Sequence, residues 1–223
     1  MMSGIFERIV QYGILPVIKL RQPEEARALG RALAEGGLLV AEVTFRSAAA
    51  PGAIALLRKE YPELLVGAGT VLTADQVEAA IAAGASFAVT PGFNPRIVDA
   101  CISSGLPVVP GVNSPSQVEM ALERGLGLLK FFPAEASGGV KMLKSLHGPY
   151  SEVAFVPTGG VDTSNLATYL ALPYVAAIGG SWMVKEELIS SGSWTEVARL
   201  CAEALSLARA ARSPRDPGPP AKR

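Results

Sequence analysis

The chain has 223 residues, 49% of them hydrophobic, with 20 basic and 20 acidic side chains. That is enough for one well-buried core and lies within the span of a single α/β barrel. Zero net charge without a basic footprint argues against nucleic-acid binding, and no apolar run approaches a membrane span; Met1 to Arg8 lacks the apolar core of a secretion signal, so a cytoplasmic protein is expected.

In chain order, short apolar strands alternate with capped helices. The first strand spans 14–18. Its helix opens at Pro23 with Glu24 and Glu25 in the first turn, carries Ala26, Leu29 and Leu33 as an apolar stripe, and ends at Gly36 and Gly37. A second strand over 38–44 precedes a helix over 50–61. A third, over 64–68, precedes a helix that opens with the capping box Thr73-Ala74-Asp75-Gln76 and closes at Gly84. The fourth strand spans 86–90, and Asn94-Pro95 caps a helix that stops at Gly105. The fifth spans 106–109 and leads to a second box, Ser114-Pro115-Ser116-Gln117, with a stop at Gly125. The sixth, seventh and eighth strands span 126–132, 153–157 and 175–178, each followed by a helix, over 139–147, 164–172 and 194–211. The Pro-rich, charged tail 213–223 is expected to be disordered, which leaves one domain over 1–212.

Eight such units predict a parallel sheet with right-handed crossovers, closed into a (β/α)8 TIM barrel. The alternative is a doubly wound open sheet. Gly67-Ala68-Gly69-Thr70 lacks the third glycine of a dinucleotide fingerprint.

Active sites of such barrels sit at the C-terminal ends of the strands, so ionisable residues there are the candidates. Lys130 lies inside the apolar run Leu126-Gly127-Leu128-Leu129-Lys130-Phe131-Phe132-Pro133, where a charged ammonium is expensive to bury. It is either a snorkelling side chain at the strand end or an amine used as a nucleophile. Glu42, Thr44 and Arg46 alternate with Val43 and Phe45 and so share one face of the second strand. A carboxylate there suits proton transfer, and a guanidinium suits a substrate carboxylate. Lys19 follows the first strand and is either a further cation for an anionic substrate or strand-end decoration. Thr70 and Pro91 follow the third and fourth strands, where loops present hydroxyl and backbone groups. Thr158-Gly159-Gly160 and Gly179-Gly180-Ser181 follow strands seven and eight, the two loops from which barrel phosphate sites are frequently built.

A single histidine, His147, leaves little for an imidazole-built metal site, and no nucleophile elbow accompanies it. Its place before Gly148-Pro149 reads as a helix-end residue bonding free carbonyls. Cys101 and Cys201 read as small buried hydrophobes.

Five segments together carry a family resemblance: Glu42-Val43-Thr44-Phe45-Arg46, Val66-Gly67-Ala68-Gly69-Thr70-Val71-Leu72, Lys130-Phe131-Phe132-Pro133-Ala134-Glu135, Pro157-Thr158-Gly159-Gly160-Val161 and Ile178-Gly179-Gly180-Ser181-Trp182. In this order, from about Gly13 to Leu207, the chain resembles the bacterial 2-keto-3-deoxy-6-phosphogluconate (KDPG) aldolases, which also handle 4-hydroxy-2-oxoglutarate (KHG). The resemblance implies a class I aldolase on a TIM barrel, a cytoplasmic homotrimer acting on a phosphorylated keto acid without metal or cofactor. It implies that Lys130 forms the Schiff base and Glu42 moves protons. Arg46 and Thr70 would bind the pyruvate end, Pro91 and Phe132 would line the pocket, and Ser181 with Gly159, Gly160, Gly179 and Gly180 would hold the phosphate. Thr158 matches the position that influences which face of the aldehyde is used. Lys19 stands where relatives vary, which leaves the choice between the two substrates open. Two rival readings keep the barrel. An isomerase or epimerase needs acid–base residues but no nucleophilic lysine, and a silent sugar-phosphate binder needs neither.

Overall fold

The computed structural model describes residues 4–212; the expected disordered tail lies outside the described residues. Nine stretches of strand occur among those residues: β1 (Ile14–Ile18), β2 (Val40–Thr44), β3 (Leu65–Gly69), β4 (Phe87–Val89), β5 (Val108–Val109), β6 (Gly111–Val112), β7 (Leu128–Phe131), β8 (Ala154–Pro157) and β9 (Ile178–Gly180). All pair in parallel, in the orders β5-β4-β3-β2-β1-β9 and β6-β7-β8. Bridges Phe155–Val175 and Thr158–Gly179 join the two sheets on one side. On the other side β5 and β6 are halves of one strand broken at Pro110, which has no N–H to donate. The result is the eight-stave barrel expected from the sequence.

The expected fifth strand, 106–109, is therefore shifted and split. The Thr90 hydroxyl supplies what the ladder loses at the break, accepting from the Gly111 N–H at 3.3 Å.

The helices are α1 (Gly4–Tyr12), α2 (Glu25–Glu35), α3 (Ala50–Glu60), α4 (Ala74–Ala82), α5 (Pro95–Ser103), α6 (Pro115–Leu122), α7 (Gly139–His147), α8 (Leu166–Leu170), α9 (Glu186–Ser190) and α10 (Trp194–Arg212), with a 3-10 turn over Trp182–Val184. At the first box Thr73 Oγ1 accepts from the Gln76 N–H at 3.2 Å, and Gln76 Oε1 reaches back one residue past the cap to the Leu72 N–H at 2.7 Å. In the second box only the back-reach forms, from the Asn113 N–H to Gln117 Oε1 at 2.8 Å. α8 is shorter than expected because Asp162, Ser164 and Asn165 spend their side chains on a turn of their own.

α1 was not expected. Ile5, Phe6, Ile9 and Val10 recur at helical spacing, and α1 packs that stripe against the N-terminal end of the barrel. At the other end of the described residues Arg212, the last residue of α10, donates to the carbonyls of Val10 and Ala176, tying α10 to α1 and to the segment before β9. The staves are buried on both faces, as parallel strands under helices must be; every residue of β2 and β3 is buried.

Candidate active site

The buried polar side chains among the described residues are Glu42, Thr44, Thr90, Lys130 and Thr158. Each lies at or beyond the middle of its stave, so all crowd the C-terminal half of the barrel. Thr90 is accounted for by the break at Pro110. The other four belong to one site.

Alternation along β7 puts Lys130 on the same face as Leu128 and opposite Leu129 and Phe131. That face is the barrel interior. Lys130 Nζ lies 3.4 Å from Glu42 Oε1, with side chains only 5% and 1% exposed. The snorkelling alternative is thereby excluded: the ammonium faces a buried carboxylate and not solvent. It also sits 5.2 Å from the centroid of the Phe132 ring, within cation–π range. Room for the carboxylate comes from β3. A Cβ at Gly69 would stand 2.4 Å from Glu42 Oε1 and 2.5 Å from its Cγ, so only a glycine lets Glu42 cross that strand.

Arg46 is held from its own strand. Its Nε donates to Thr44 Oγ1 at 3.1 Å, and that hydroxyl donates to the Ile18 carbonyl of β1 at 2.8 Å. Thr70 has φ 55°, a left-handed conformation that a β-branched residue rarely adopts and that costs on the order of 1–2 kcal/mol.

These groups converge on a cavity of about 300 Å³ at the barrel mouth. Arg46, Thr70 and Pro91 line it from the loops after β2, β3 and β4. Lys130 and Phe132 form the side after β7, and the loops after β8 and β9 bring Thr158, Gly159 and Gly160 opposite Gly179, Gly180 and Ser181. Glu42 lies behind Lys130. Val17 and Val161 also line the cavity and were not foreseen; apolar lining residues leave no sequence signal of their own.

Lys19 is the exception among the expected residues. It pairs with Glu186 at 2.9 Å across an adjoining cleft of about 360 Å³, which shares Arg46 and Ser181 with the main cavity. The hydrogen bond from Lys19 holds the exposed Glu186 carboxyl below the usual carboxylate range. His147, read as a helix-end donor, instead stacks on Tyr174 with centroids 3.6 Å apart, and its Nδ1 has no hydrogen-bond partner among the described residues.

A buried amine against a buried carboxylate, under a rim of arginine and paired glycine loops, equips a barrel to break carbon–carbon bonds through a lysine adduct. Comparison with known proteins gives the same class. The sequence profile of the KDPG and KHG aldolases matches residues 5–200. A 2-dehydro-3-deoxy-phosphogluconate aldolase of Haemophilus influenzae is 50% identical over 91% of this chain and 96% of its own length. The KHG/KDPG aldolase of Escherichia coli K12 is 41% identical over 88% and 92%. The crystal structure of a KDPG aldolase from Legionella pneumophila, with pyruvate captured as a covalent carbinolamine intermediate, superposes with a TM-score of 0.87 at 40% identity, covering 91% of this chain and 98% of that one. The chain belongs to the KDPG and KHG aldolase family, whose members are carbon–carbon lyases.

Proposed function

We propose that Lys130 is the Schiff-base lysine of a class I aldolase that cleaves KDPG to pyruvate and glyceraldehyde 3-phosphate, and that also accepts KHG. The observation that carries this reading is the buried Lys130–Glu42 pair at the foot of the cavity. The ammonium passes a proton to Glu42, and the neutral amine adds to the C2 carbonyl to give a carbinolamine. Glu42 returns the proton to the departing hydroxyl, water leaves, and an iminium remains. The iminium draws the electron pair of the C3–C4 bond as the C4 hydroxyl gives its proton to Glu42. The aldehyde departs, Glu42 protonates C3 of the enamine, and water frees pyruvate. One carboxylate serves every transfer because they occur in succession.

Arg46 and Thr70 take the keto-acid carboxylate, a charge-assisted bond to which the Thr44 support suits Arg46. Phe132 and Pro91 cover the reacting carbons. Thr158 faces the aldehyde carbon, and Gly159, Gly160, Gly179, Gly180 and Ser181 hold the phosphate. Lys19, at the rim, supplies a further cation for the anionic substrate when it exchanges Glu186 for it. The KHG/KDPG names of relatives support activity on both substrates.

A homotrimer of single-domain subunits spanning 1–212 fits the family resemblance and the exposed Leu72, Ile81, Ile102 and Met120, which lie on and just before α4, α5 and α6. Two free thiols fit a reducing, cytoplasmic setting.

Borohydride in the presence of pyruvate tests the assignment. The wild type is expected to gain the mass of reduced pyruvate at Lys130. Lys130→Ala should gain none and lose kcat/KM on the order of 10⁴-fold or more. Trapping that persists in Lys130→Ala would falsify the role.

A further inference from the structure

Glu135 takes no part in the chemistry above, yet it touches the loop after β8 in two ways. Its N–H donates to the Gly159 carbonyl at 3.1 Å, beside an Ala134 N–H to Thr158 carbonyl bond of 2.8 Å. Its Cβ and Cγ lie against Gly160, where an added Cβ would come within 2.8 Å of both. Its carboxylate turns away from Gly160: Oε1 lies 3.1 Å from the Cβ position of Gly139, at the start of α7, and accepts the hydroxyl of Tyr169 from α8. Asn165 completes the anchorage, its Nδ2 donating to the Gly160 carbonyl at 3.0 Å.

In a trans peptide the carbonyl and the following N–H point opposite ways. Donors on the carbonyls of Gly159 and Gly160 therefore turn the N–H groups of Gly160 and Val161 the other way, the orientation an anion needs from a nest of amides. The positive φ values of Gly159 (98°) and Gly160 (77°) belong to this turn. The same construction carries a hazard, because a carboxylate stem lies against a loop meant for phosphate.

We propose that Glu135 is a positioning residue for the phosphate loop, and that Tyr169 keeps its negative charge out of the phosphate site. This rests on the reading of the Gly159–Gly160 loop as that site. Tyr169 is 1% exposed, and burial together with Glu135 pushes its hydroxyl far above the ordinary tyrosine range, so it stays a donor. The phosphate selectivity of the enzyme is then set partly by a residue pair that touches no substrate.

The test compares a substrate with phosphate, KDPG, and one without, KHG. Tyr169→Phe frees the carboxylate and should raise KM for KDPG about fivefold, with KM for KHG moving less than about twofold and both kcat values kept. Glu135→Gln, which keeps the hydrogen bond and drops the charge, should leave the ratio of the two KM values unchanged. The double variant Glu135→Gln Tyr169→Phe should restore the KDPG value. Equal KM changes for both substrates in Tyr169→Phe, or no restoration in the double variant, overturns the proposal. Competition by inorganic phosphate against KDPG in the wild type separates the two levels. Its absence removes the phosphate site and the proposal with it; its presence alongside unchanged selectivity in Tyr169→Phe removes the proposal alone.

Discussion

At the N-terminal end of the staves, α1 and the last turn of α10 cover the barrel floor; at the C-terminal end, loops leave a mouth. The floor holds the larger cavities, about 670 Å³ beside Phe6, Leu106 and Leu126 and about 580 Å³ beside Val10 and Ala176, with Glu152 and Arg212 as their respective charged residues. The mouth encloses less than half the volume of the larger one and gathers Lys130, Arg46, two threonines and two glycine loops, with Glu42 behind. Volume alone would point to the floor. Convergence of buried polar groups points to the mouth, because four nearly fully buried polar side chains gather at that site, whereas at the floor Glu152 is exposed and Arg212 only half-buried.

If the two ends divide activity from stability, their variants should separate cleanly. Gly69→Ala should have the largest effect after loss of Lys130, since the new methyl displaces Glu42. Misplacement of a catalytic group by about an ångström costs on the order of a hundredfold in rate, to be read as kcat/KM with the circular dichroism spectrum unchanged. Activity within about twofold of wild type would mean Glu42 has another way across β3. Arg212→Ala, at the floor, should do the reverse. Stripping donors from the Val10 and Ala176 carbonyls should cost about 1 kcal/mol and lower Tm by about 2–4 °C, with kcat/KM preserved. Loss of activity without loss of Tm would break the division.

The smallest effect concerns the helical shell between the ends. Burial pushes the Cys101 thiol up to about 11 and the Cys201 thiol up to about 12. Both stay protonated in the folded state at pH 8, where iodoacetamide should add no mass to native protein but label both after unfolding in urea. The sign for stability follows. A raised folded value favours the fold below the ordinary thiol range, and that contribution is lost as pH climbs through about 11 to 12. Rapid native labelling at pH 8 would show that α5 and α10 open.

The barrel was legible because the staves are short apolar runs, most of them following a glycine stop and leading into an amphipathic helix, signals that are local. Lys130 was legible for a similar reason: one charge inside an apolar run stands out without knowledge of its neighbours. What escaped depends on contacts between distant segments. Lys19 meets Glu186, 167 residues away, and nothing at either position announces the other. Gly69 matters through the side chain of Glu42 on the neighbouring stave, and the sequence shows no such distance. The stripe of α1 is brief, and it earns a helix only by covering the barrel floor. Pro110 was in plain view, yet the shifted stave it divides depends on which neighbour takes the Gly111 N–H.

Thr70 bears on how such an enzyme would respond to selection for heat resistance. Its left-handed backbone is a small reservoir of instability kept on the cavity wall, where the hydroxyl is proposed to meet the substrate. A glycine there would relax the loop and remove the hydroxyl in one step. Residue 70 is therefore a position where screening for thermal endurance alone would drift toward a sturdier and poorer catalyst.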